Sequence, residues 1–135
     1  MQTTIKQAVK FSGIGLHSGA AVSLTIKPSA AEYGIWFKRI DVKKSVNMIA
    51  AHYLNVSESI LCTKLSNDIG VSISTVEHLM AALSGCGVQN ALIEVDGPEI
   101  PIMDGSSEWF VRKILQGGVK QLPEPVRVIH VKKEV

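Results

Sequence analysis

The chain has 135 residues, 46% hydrophobic, 19% charged and 5% aromatic, with a formal net charge of +2. That length suits one domain with a core of its own, and the composition is ordinary for a globular fold. The small charge, and the lack of any Lys/Arg run interleaved with aromatics, speak against nucleic acid as a partner, and no apolar stretch approaches the roughly 18 residues that span a bilayer.

The N-terminal segment MQTTIKQAVK has no apolar run behind its first charge and does not read as a secretory signal. Residues 3–10 alternate around Ile5 and Val9, which predicts a strand. FSGIGLHSG, with glycines at 13, 15 and 19, reads as a loop. Residues 21–27 alternate again through Val22, Leu24 and Ile26, a half-buried strand. Residues 34–39 form a further strand and 46–51 a weaker one. Residues 59–65 (SILCTKL) read as another, with β-branched Ile60 and Thr63. Asn67 to Gly70 marks a turn before a short strand at 71–73.

From there helix and strand alternate. Residues 74–84 read as a helix, because Val76, Leu79, Met80 and Leu83 recur at i, i+3, i+4 and i+7. Gly85 and Gly87 supply its stop. Residues 89–96 (QNALIEVD) predict a central strand, and 97–105 (GPEIPIMDG) a loop with two prolines. Ser106 or Ser107 caps a second helix carrying Phe110, Val111, Ile114 and Leu115, ended by Gly117-Gly118. Two prolines flank Glu124, and residues 126–135 begin another strand. A joint at 123, separating a domain at 1–122 from the linker and first strand of a further domain at 123–135, is one reading; a strand pairing back on the sheet is the other. Cys62 and Cys86 match neither a disulfide framework nor a CxxC pattern. Reduced thiols in a cytoplasmic protein are the expectation.

The residues with chemistry are the adjacent Glu77-His78. At about 100° per residue, His78 falls opposite the apolar stripe, beside the small Ala81 and Ala82, and Glu77 sits on the flank. Such a face accepts a substrate or a second domain closely. Ser74-Thr75-Val76-Glu77 also spells a capping box, in which the glutamate bonds back to the cap's N–H, and spacing alone favours that role. A catalytic zinc takes about three protein ligands and keeps one open position. The other histidines are His17, His52 and His130; none stands at i+4 of His78, and no HxH or HExxH occurs. A metal held by His78 would draw most of its ligands from elsewhere.

The segments GIGLHSG at 13–19, SILCTKL at 59–65 and ISTVEHLMAALSGCGVQNALIEVDGPEIPIMDGSSEWF at 73–110 resemble the N-terminal domain of the UDP-3-O-acyl-N-acetylglucosamine deacetylases, which act in lipid A (lipopolysaccharide) synthesis in Gram-negative bacteria. The resemblance implies an α+β fold: a mixed, mostly antiparallel sheet packed against two helices, a two-layer sandwich of the ribosomal protein S5 domain 2-like kind. It implies a zinc-dependent amide hydrolase with its site between two such domains. His78 would be the one zinc ligand from this domain and Glu77 the general base. Ile60, Leu61 and Cys62 would line the site, with His17 and Asp104 in supporting, architectural roles. The remaining zinc ligands, in an HKxxD motif, a histidine general acid and the passage for the acyl chain would belong to the C-terminal domain, absent here. The competing readings are a non-catalytic scaffold or binding half and an RNA-binding module of similar fold; low charge argues against the latter.

Overall fold

In the computed structural model, residues 1–134 are described. A five-stranded mixed sheet runs in the order β2-β3-β9-β4-β5. Its strands are β2 (Val9–Ile14), β3 (Ala21–Pro28), β9 (Ala91–Val95), β4 (Ile35–Arg39) and β5 (Met48–Ala50). Only the central β9–β4 pair is parallel; the other neighbours are antiparallel. Two small antiparallel sheets complete the fold. One joins β1 (Thr3–Ile5) to β10 (Val119–Gln121). The other orders β6 (Val56–Glu58), β7 (Lys64–Ser66) and β8 (Ser72–Ile73). The helices are α1 (Glu77–Gly85) and α2 (Glu108–Gly117).

The sequence alternation sets which face is covered. In β3, Val22, Leu24 and Ile26 are buried while Ala21 and Ser23 face water, as expected for a sheet packed on one side. In β9, Ala91, Ile93 and Val95 point the same way. Against them lie Leu79, Ala82 and Leu83 of α1 and Phe110 and Ile114 of α2, in one continuous apolar cluster. Phe110 stacks at a tilt on Phe11 of β2, ring centroids 5.0 Å apart. This is the expected two-layer α+β sandwich, and β9 is its central strand. On the open face Glu94 of β9 is held between Lys27 and Lys38, at 2.5 and 3.3 Å. The Lys27 hydrogen bond is the main cause of its lowered pKa.

Several boundaries differ from the sequence reading. The strand expected at 3–10 breaks into β1 and β2, which serve different sheets. Part of the expected FSGIGLHSG loop is strand: β2 continues through Ile14, and the loop starts at Gly15. Gly13 serves close approach rather than a turn, since a Cβ there would lie 2.9 Å from the Pro101 Cβ. Residues 59–63 are not strand. They form the tip of the β6–β7 hairpin, where Leu61 adopts φ 66°. That value lies outside the extended region, so the β-branched residues around it could not continue a ladder. Residues 126–134 form no strand either, and Val128, Ile129 and Val131 are 80%, 96% and 68% exposed; Val135 lies outside the described residues. The chain leaving β10 is tied back at Gln2, whose main chain bonds Leu122 and Glu124 and whose side chain donates to the Pro125 carbonyl.

Candidate functional site

The helix carrying Glu77 and His78 does not begin as the capping box predicts. Val76 occupies the cap position and no side chain caps α1. Ser74 is engaged elsewhere: its N–H donates to Pro98 O at 2.9 Å and its carbonyl accepts from Ile100 N at 3.0 Å, a parallel bridge to the 97–101 loop. Thr75 then turns the chain at φ 57°, a rare and strained conformation for a β-branched residue. A capping glutamate needs the backbone N–H of residue 74 free and nearby, and here that N–H is already spent. The Glu77 carboxylate instead accepts from the Thr63 N–H, Oε2 to N at 3.1 Å. It thereby anchors the end of the hairpin tip to the first turn of α1. Among the described residues Oε1 of Glu77 has no hydrogen-bond partner.

His78 is half-buried. Its carbonyl accepts from the Ser107 hydroxyl at 2.9 Å, which fixes α1 against the start of α2. Of the two alanines expected beside it, Ala81 is exposed and Ala82 is buried in the core. The small-residue face therefore does not stay open as a unit.

His17 and residues 60–62 come together in one pocket of about 380 Å³, floored by Pro98 and Glu99. Ile60 and Leu61 are 74% and 86% exposed at its rim. Asp104 lies apart, in a groove with Gly13, Ile14 and Trp109. There its Oδ1 accepts from the Ser106 N–H and hydroxyl at 3.0 and 2.8 Å, shaping the turn into α2. That hydroxyl contact is the chief cause of its lowered pKa. The Ser106 hydroxyl in turn accepts from Glu108 N, so Ser106 rather than the cap residue Ser107 meets the first free N–H of α2.

Sequence reasoning passed over the group at the centre of this region, Glu99. Its side chain is 3% exposed. It accepts from the main-chain N–H of His17, at 3.1 and 3.2 Å to its two oxygens, and from Ser18 N at 2.9 Å. It is also bonded to His17 Nδ1 at 2.8 Å and accepts from the Thr75 hydroxyl at 2.8 Å. Burial pushes this carboxyl up, but the Ser18 and His17 hydrogen bonds outweigh it and bring it down to about 2. Gly15 makes the arrangement possible, because a Cβ there would run into the Glu99 carboxylate and the Ser18 hydroxyl. The available signal was a single charge in an otherwise apolar, proline-bounded loop (PEIP); nothing local names its partners 82 residues away.

No group of three or more His, Cys, Asp or Glu side chains among the described residues is placed to hold a metal ion. The half-buried His78 has the donor chemistry for one position of a zinc-type site. Both cysteines are free thiols, and burial raises the Cys86 pKa. No helix among the described residues is long and apolar enough to cross a membrane.

A model of the UDP-3-O-acyl N-acetylglycosamine deacetylase family matches residues 2–135. Similar proteins include UDP-3-O-acyl-N-acetylglucosamine deacetylases from Vibrio cholerae, Vibrio parahaemolyticus and Actinobacillus succinogenes, 53%, 51% and 49% identical over 134 residues. Each alignment covers 99% of this chain and 44% of the relative, so the chain spans less than half the length of the curated proteins it matches.

Proposed function

This chain belongs to the UDP-3-O-acyl N-acetylglycosamine deacetylase family, and from that premise we propose that the protein hydrolyses the N-acetyl group of UDP-3-O-acyl-N-acetylglucosamine, releasing acetate in lipid A synthesis. The observation that carries the reading is the 49–53% identity over 134 residues with deacetylases of that name. A cytoplasmic setting belongs to the same proposal. So does a division in which residues 1–122 form one domain and 123–135 lead to a second.

In this reading His78 gives one zinc ligand, and the others come from outside these 135 residues. Zinc, when bound, lowers the pKa of coordinated water and polarises a carbonyl oxygen. Glu77 takes the proton of the attacking water. Its Oε2 is held by the Thr63 N–H while Oε1 is uncommitted, so the carboxylate is oriented without being saturated. The first turn of α1 also favours a negative charge at that position. Ile60, Leu61, Cys62 and His17 line a pocket that also carries the charged Glu58 and Lys64 and reaches Ser74 but not Glu77 or His78, and they offer substrate both apolar and polar contacts.

Acetate release by the full-length protein tests this. Glu77→Gln and His78→Ala are each expected to lower kcat by about 10²-fold or more, the scale of a lost general base. Wild-type rates in either variant would sink the assignment.

A further inference from the structure

Glu99 gathers three segments that are distant in sequence: the Gly15–Ala20 loop, the strained residue that precedes α1, and its own proline-bounded loop. An ionised carboxylate can only accept, so the His17 Nδ1 atom bonded to it at 2.8 Å carries the ring proton. In the neutral ring Nε2 is then a lone-pair acceptor. His17 lines the pocket with its side chain 40% exposed, and among the described residues Nε2 has no protein partner. The same Glu99 Oε1 also accepts from the Thr75 hydroxyl, next to the two main-chain bonds that clamp Ser74. Thr75 is 2% exposed at φ 57°, two residues before Glu77.

We propose that Glu99 is a positioning residue: its buried carboxylate fixes the His17 ring so that Nε2 meets a hydroxyl or N–H donor of the ligand, and it holds Thr75 in the backbone conformation from which the Glu77-His78 helix starts. The kinetic part rests on the deacetylase reading above; the ring orientation does not. Both effects follow from one side chain because the same oxygen, Oε1, meets the His17 ring and the Thr75 hydroxyl. Loss of the charge leaves four donors competing for one amide oxygen, and it removes the reason for the proton to stay on Nδ1.

The test uses ¹⁵N-histidine-labelled protein and acetate release from UDP-3-O-acyl-N-acetylglucosamine. In the wild type, ring ¹⁵N shifts are expected to show His17 protonated at Nδ1 near neutral pH. In Glu99→Gln that preference is lost, KM rises about tenfold, the scale of one hydrogen bond to a charged group, and kcat falls as well because the Thr75 contact weakens; a simple loss of folded protein would lower kcat and leave KM alone. Thr75→Val, which keeps the charge, is expected to retain the His17 tautomer and lose about tenfold in kcat, with Thr75→Ser recovering most of it. A wild-type His17 protonated at Nε2 alone, or an unchanged tautomer and KM in Glu99→Gln, overturns the proposal. If Glu99→Gln does not fold, a Thr75→Val protein with wild-type kcat overturns it. Failure of the deacetylase reading shows separately, as wild-type protein that releases no acetate while the tautomer result stands.

Discussion

Four donors converge on one carboxylate at Glu99, and their value depends on its charge. The folded protein holds this group near 2, against an ordinary value of 4.5. A depressed folded pKa means that the charged form favours the fold. The contribution is complete above about pH 4.5 and drains away as pH falls toward 2. The shift corresponds to something on the order of 3 kcal/mol. Urea denaturation between pH 5 and pH 2 is expected to show wild-type stability falling more steeply than that of Glu99→Gln by about this amount. Asp41 and Glu94, whose pKa values are also lowered by their basic neighbours, titrate alike in both proteins and cancel in the comparison. Parallel curves would remove the charged carboxylate from the account.

At the scale of elements, packing is concentrated where the helices meet the sheet. Phe110 is fully buried and stacked on Phe11; Phe110→Ala is expected to cost about 3–5 kcal/mol by calorimetric or denaturant unfolding. A loss under 1 kcal/mol would mean that α2 does not seal the core. The elements that could be read from the sequence were those with a long, clean period. The alternation of Val22, Leu24 and Ile26 landed on the buried face, as did Val76, Leu79 and Leu83 of the helical stripe, with its fourth member, Met80, partly buried against the core. The hairpin tip escaped because its residues are apolar and partly β-branched, while its conformation is dictated by the two short strands it joins. The capping box escaped for a different reason. Ser74 had the right neighbours in sequence, but the 97–101 loop claims its main chain from across the fold. Of the candidate residues, His17 and 60–62 share a pocket; Asp104 sits in a separate groove.

For the whole molecule, the chain matches only 44% of its relatives' length, and its described residues hold no three-donor metal cluster. Zinc titration of the 135-residue chain by calorimetry is therefore expected to show no tight one-to-one binding. Tight stoichiometric binding would overturn the proposal that the remaining ligands lie elsewhere. The corner built around Glu99 carries one more implication, for how the chain folds. His17 and Glu99 stand 82 residues apart, and Thr75 and Glu99 stand 24 apart. Closing loops of such length costs entropy that short-range contacts do not repay. The β2–β3 and β6–β7 hairpins can zip from neighbouring residues, whereas this corner must wait until β9 has inserted between β3 and β4. The helix start that bears Glu77 and His78 thus takes its final shape late, as a product of completed topology rather than a local nucleus.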